Sequence, residues 1–128
     1  MAQLIALDAS ILLAYFDERD AHTEAAKAIL SEADGLAASV LTVAESLVGA
    51  AAAGRLDEQL EAFSDLEIRP VPIGSDAAPT LARLRSATGL KMPDCCVLHA
   101  AATIGAAAIG TRDASLAKAA QERGYETP

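Results

Sequence analysis

Residues 3–8 form a short, nearly unbroken apolar run, the pattern of a strand buried on both faces of a parallel sheet. The run feeds into residues 10–16, where Ile11, Leu12 and Tyr15 share one side of a short helix. Residues 21–33 predict a second helix, with Ala25, Ala26, Ile29 and Leu30 on its apolar face and Gly35 just past its end. Residues 36–38 make a minimal strand, and Ser39 is placed to cap a helix running to Gly54. Another amphipathic helix covers residues 56–64. Along residues 68–73, apolar positions alternate with Arg69, Pro70 and Pro72; proline cannot donate to a ladder, so this strand belongs at a sheet edge. Residues 76–88 predict a helix ended by Gly89, with Pro79 blurring its start, and Pro93 opens the next helix at its favoured first position. Residues 106–110 form a strand of small residues, and residues 114–123 a last helix closed by Gly124. The order β-α-α-β-α-α-β-α-α-β-α implies one α/β domain over residues 1–128, a parallel sheet with helices on both faces.

Charge is almost absent from three parts of this pattern. Residues 1–16, 35–54 and 92–111 hold only Asp8, Glu45 and Asp94 as charged residues, whereas even placement at 22% charged content would put roughly 12 there. An ionised carboxylate in an apolar segment is costly unless partnered, and no Lys or Arg lies within the same segment. The common partner for several converging carboxylates is a divalent cation bound through oxygen. In open α/β sheets, ligands collect outside the carboxyl ends of the strands. Asp8 ends the first strand, Glu45 lies in the first turns of the helix after the second, and Asp94 lies in the first turn of its own helix. Asp113 follows the strand ending in Gly110-Thr111 and precedes a helix, so all four map to one edge of one sheet. Helix N-termini there favour anions. Each acid also has a plainer reading: a turn former at Asp8, a capping box in Thr42-x-x-Glu45, a first-turn acid at Asp94, an N-cap at Asp113. A shared site accounts for all four at once.

Composition narrows the classes. A chain of 128 residues suits one domain with a hydrophobic core, and no apolar run reaches the length of a membrane-spanning helix. The N-terminus lacks the pattern of a secretory signal, which makes the cytoplasm the expected location. Cys95 and Cys96 are adjacent and too few for a disulfide framework; with His99 they admit zinc, but two buried thiols in an apolar helix is the plainer reading. His22 sits among charged residues and reads as a surface histidine. The net charge of −8 argues against nucleic-acid binding through bulk electrostatics, though not against an enzyme whose metals neutralise its own carboxylates.

At these residues the chain resembles PIN-domain ribonucleases, specifically the VapC-type toxins of toxin–antitoxin pairs. The matching pieces are LIALDASILLAYF at the start, LTVAESL around Glu45, LKMPDCCVLHAAA around Asp94 and GTRDASL around Asp113. The likeness spans essentially the whole chain, and its specificity comes from the four pieces together in order. It implies a three-layer α/β/α fold with a four- to five-stranded parallel sheet. It also implies a metal-dependent endoribonuclease whose pocket binds Mg2+ or Mn2+, with Asp8, Glu45, Asp94 and Asp113 as the matching carboxylates. Ser10 and Thr111 match hydroxyl positions that support the pocket. The resemblance further implies a small VapB-like antitoxin and a homodimer. Departures are Cys95 and Cys96, where Ala or Ile is expected, and a very short last strand near Tyr125.

Oxygen-bound metals activate water and neutralise phosphoryl charge without a histidine base, and no His lies near the four acids. Asp8 and Asp94 are expected as the principal metal ligands, Asp113 as completing the shell or holding a second ion, and Glu45 as binding metal or orienting water. Crowded carboxylates repel, so at least one should hold its proton more tightly in the metal-free protein. Arg112 and Lys91 adjoin two of the acids and are candidate RNA-phosphate contacts, or else ordinary surface cations. A haloacid-type phosphatase would need a second Asp where Ser10 stands, and a response-regulator receiver would need a strand-ending Asp where AAAAGRLD reads as helix and turn. A non-catalytic PIN scaffold acting through protein contacts is the remaining alternative.

Overall fold

The computed structural model describes residues 3–128. Its elements follow the expected order: β1 (Leu4–Leu7), α1 (Ala9–Phe16), α2 (Thr23–Glu32), β2 (Gly35–Ser39), α3 (Val40–Ala52), α4 (Leu56–Asp65), β3 (Ile68–Val71), α5 (Ala77–Thr88), α6 (Met92–Ile104), β4 (Ala108–Gly110) and α7 (Ala114–Glu122). The four strands are all parallel, in the spatial order β3-β2-β1-β4. Pro70 therefore lies on an edge strand, where its missing N–H leaves no gap in a neighbouring ladder. Beyond β4, only a single bridge between Ala108 and Glu126 continues the sheet. The fifth strand is reduced to that one pairing.

Alternation along the strands sorts the core into two layers. Ile5 and Leu7 of β1 and Ala108 of β4 face a cluster with Ile11, Leu12, Ile29 and Phe63, contributed by α1, α2 and α4, and Val43 and Leu47 of α3 pack against it. Ala6 and Ile109 face the other way, onto Val97, Leu98 and Ala101 of α6 and Leu116 and Ala120 of α7, with Leu81 and Leu84 of α5 alongside. Helices α1–α4 thus cover one face of the sheet and α5–α7 the other, the expected three-layer α/β/α arrangement. No helix is long and apolar enough to cross a membrane.

Small strand residues let the helices approach. A Cβ added at Gly110 would stand 3.0 Å from Leu7 Cδ2 and 3.3 Å from Ile29 Cγ2. Gly110→Val should therefore overpack this junction and lower stability by about 1–3 kcal/mol. An unchanged denaturant midpoint would show that the core yields there more easily than its packing indicates.

The connections also fix where a ligand can sit. From β1 the chain moves outward through β2 to β3, and then returns to place β4 on the other side of β1. The direction of winding reverses between β1 and β4, so a crevice opens at the carboxyl ends of those two strands.

Candidate active site

Asp8 stands at that crevice, where β1 ends and α1 begins. Its extended backbone makes it the N-cap of α1, and its Oδ1 accepts from the Ile11 amide at 3.1 Å. The residue is only 5% exposed, and its partners are hydroxyls. Ser10 Oγ donates to Oδ1 at 2.6 Å, and Thr111 Oγ1 donates to Oδ2 across the switch point. Each hydroxyl is oriented in turn: the Arg112 amide donates to Ser10 Oγ at 3.0 Å, and the Asp113 amide to Thr111 Oγ1 at 2.9 Å. With its lone pair taken by an amide, each hydroxyl has its proton directed at the carboxylate. The anticipated supporting roles of Ser10 and Thr111 thus have a definite form: they fix both oxygens of Asp8 and tie α1 to the loop before α7.

The other acids come from three further elements. Asp113 is the N-cap of α7, its Oδ1 accepting from the Leu116 amide at 2.8 Å, so the plainer capping reading holds for this residue. Capping engages one oxygen, Oδ1, and Asp113 also lines the cavity at the crevice. Asp94 lies in the first turn of α6, which begins at Met92, one residue before Pro93. Glu45 lies in the second turn of α3. Ser39, not Thr42, caps that helix, accepting from the Leu41 amide at 3.3 Å, so Thr42 and Glu45 form no capping box.

Asp8, Ser10, Glu45, Asp94 and Asp113 line one cavity of about 180 Å³. The reading of Asp8, Glu45 and Asp94 as unpaired carboxylates buried in apolar segments needs correction at Glu45. Asp8 is buried and Asp94 half-buried, but Glu45 and Asp113 are exposed. Alanine-rich α3 turns part of its apolar surface outward, with Val48 63% exposed, so Glu45 stays in water despite its apolar neighbours in sequence.

The charges of the other three acids are felt at Asp94. Burial pushes the Asp94 carboxyl above its ordinary value, and the charges of Asp113, Asp8 and Glu45 push it further, with Lys91 pulling the other way. A raised value on one of the acids was the sequence-based expectation; desolvation leads and repulsion follows. Lys91 is exposed beside Asp94, and Arg112 is exposed with its amide, not its guanidinium, engaged at the site.

The cavity also contains residues that the sequence reading passed over. Thr42 lines it and is almost fully buried, as does Val97 of α6. The signal for Thr42 was its position three residues before Glu45, which puts both on one helix face. Cys95 and Cys96 are buried free thiols, and burial raises both above the usual thiol range. His22 is exposed.

An all-oxygen donor set suits a hard divalent cation rather than zinc. Among the described residues, no three His, Cys, Asp or Glu side chains stand close enough to hold an ion by themselves. Mg2+ is usually held by one or two carboxylates with water completing its octahedron, so spaced acids around a small wet cavity fit such an ion.

The family model of the PIN domain matches residues 5–122. No curated protein matches the chain. Among solved structures, a toxin–antitoxin complex from Klebsiella pneumoniae contains a chain 27% identical, with a TM-score of 0.72 over 85% of this chain and 86% of that one. VapC20 from Mycobacterium tuberculosis, described as a toxin cleaving the sarcin–ricin loop, is 13% identical, with a TM-score of 0.75 over 90% and 94%. VapBC2 from Rickettsia felis, bound to a DNA fragment of its promoter, gives 11% identity and a TM-score of 0.69 over 98% of both chains.

Proposed function

The chain belongs to the PIN-domain family, and from that premise we propose that it is a metal-dependent endoribonuclease, the toxin of a type II toxin–antitoxin pair. The observation that carries this reading is the convergence of Asp8, Glu45, Asp94 and Asp113 on one cavity at the switch point of the sheet. Four such residues drawn from separate elements have no common structural task, whereas an oxygen-bound cation gives them one.

Asp8 and Asp94 would hold Mg2+ or Mn2+, directly or through water, and Asp113 would contribute the oxygen that its cap leaves free. When bound, the ion supplies Lewis acidity toward the phosphodiester and lowers the pKa of a coordinated water. The protein's own part is orientation. Ser10 and Thr111 hold the Asp8 carboxylate in one rotamer, so the ion meets a preorganised ligand. Glu45, exposed at the rim, accepts a proton or hydrogen bond from the attacking water. Lys91 and Arg112 flank the acids and offer cations to the phosphates on either side. With only four aromatic residues, Tyr15, Phe16, Phe63 and Tyr125, recognition rests on shape and backbone rather than on extensive base stacking.

The partners proposed with this reading are a VapB-like antitoxin, an RNA substrate and a second copy of the chain, in the cytoplasm. The alternative, a PIN scaffold without catalysis, draws on the spacing of the acids, no three of which close on an ion. A panel of structured RNAs incubated with Mg2+ or Mn2+ decides between them. Metal-dependent cutting supports the nuclease; absence of cutting together with no calorimetric signal for metal leaves the scaffold.

A further inference from the structure

The charge of −8 is not spread over the molecule. Residues 1–76 carry fourteen of the eighteen carboxylates and four of the ten basic side chains, a net of −10. Residues 77–128 carry four carboxylates and six basic side chains, a net of +2. Because α1–α4 cover one face of the sheet and α5–α7 the other, this division in sequence is a division in space. Two of the four carboxylates in the second half are Asp94 and Asp113, which belong to the proposed metal pocket.

The basic half also holds the larger concavities. One, of about 550 Å³, lies between the C-terminal end of α5 and the length of α7, lined by Thr88, Leu90, Ser115, Lys118, Glu122 and Arg123. A second, of about 490 Å³, continues past Arg123 along α6 toward the chain's end, lined among others by Thr80, His99, Thr103 and Tyr125, with no carboxylate. Arg123 lines both, and the first is the groove between α5 and α7. Its upper end lies at the first turn of α7, the helix that Asp113 caps, where Ser115 lines it. Along α7, Lys118 stands about 8 Å and Arg123 about 15 Å from Asp113, at 1.5 Å per residue. At duplex spacing, that length spans about four phosphates of one strand. Lys118 and Arg123 are exposed and form no ion pair with any described residue. His99 Nδ1 is buried without a hydrogen-bond partner.

We infer that the groove between α5 and α7 is the track for the RNA strand flanking the scissile bond, with Lys118 and Arg123 as phosphate contacts. This rests on the nuclease reading and adds a direction to it. A polyanion approaching the −10 half is repelled, and one approaching the groove between α5 and α7 meets Lys118 and Arg123. The hydroxyls of Thr88, Ser115, Thr80 and Thr103 suit sugar and phosphate oxygens.

The test compares Lys118→Ala/Arg123→Ala with Arg55→Ala/Arg69→Ala, an equal change of charge on the opposite half. Both pairs are exposed, and unchanged melting temperatures verify folding. Cleavage kinetics are measured with Mg2+, and binding of a labelled single-stranded RNA by fluorescence anisotropy over a range of salt. The groove variant should raise KM and the dissociation constant about tenfold, leave kcat within about twofold, and flatten the slope of log K against log salt by about 1.4. The control pair should do neither. Equal weakening by both pairs would mean bulk charge alone, and no weakening by the groove pair would mean the strand runs elsewhere; either overturns the inference. RNA that binds through Lys118 and Arg123 but is never cut would remove the nuclease reading and leave the groove standing. Absence of both binding and cutting removes both.

Discussion

Asp94→Asn should slow the proposed metal-dependent RNA cleavage by on the order of 10³-fold, the scale on which one electrostatic stabiliser of a phosphoryl-transfer transition state acts. The same substitution makes the metal-free protein melt at a higher temperature at neutral pH. The two effects have one origin. Burial raises the proton affinity of Asp94, as do Asp113, Asp8 and Glu45. In the window just above the ordinary carboxylate range, the folded protein keeps a proton that the unfolded chain releases. Folded protein then binds more protons, so stability falls as pH rises through that window and stays lower above it. An amide carries no charge and escapes this cost. A cation bound there as proposed would reverse the sign for the wild type, stabilising the ionised form and displacing the proton, so cleavage should also decline in mild acid. The comparison needs a melting series across pH with chelator and with Mg2+. A variant no more stable than wild type without metal, at any pH, would show that the acids do not interact as their placement requires.

Neutralising Asp8 has the opposite effect on the fold. Asp8→Ala should cost roughly 2–4 kcal/mol, combining loss of an N-cap with the loss of the partner of two oriented hydroxyls, Thr111 buried and Ser10 half-buried. Asp8→Asn keeps the shape but presents one amide N–H to a hydroxyl whose proton already points inward, since backbone amides hold the Ser10 and Thr111 oxygens from behind. It should still lose about 1–3 kcal/mol. Chemical denaturation of the two variants beside Asp94→Asn gives three midpoints in a fixed order, Asp94→Asn highest and Asp8→Ala lowest. If Asp8→Ala unfolds at the wild-type midpoint, the hydroxyl network is not holding α1 to the loop before α7.

The order of elements was legible because their boundaries rest on local chemistry. Pro70 placed β3 at an edge, Gly89 ended α5 in a left-handed conformation, and Ser39 capped α3. Convergence of the acids was legible because parallel strands send all their following segments to the same end. Exposure was not. Glu45 looked buried among Ala and Val, yet an apolar sequence does not say which helix face the protein's own core covers, and α3 leaves Val48 and Ala44 outside. The hydroxyl relay was hidden for another reason: Ser10 and Thr111 are far apart in sequence, and only the pairing of β1 with β4 brings them to the same carboxylate. A spacing rule has no access to a contact across 103 residues.

That long contact has a consequence for the order of events during synthesis. Asp8 leaves the ribosome early, and Asp113 is added 105 residues later, on the order of 5–20 s at ordinary elongation rates. Until Thr111 and Asp113 arrive, β1 lacks its β4 neighbour, Asp8 lacks the partner of Oδ2, and the cavity lacks one wall. A nascent chain therefore lacks the assembled pocket for nearly the whole of its translation. The same strand order that assembles the pocket delays it to the end of synthesis.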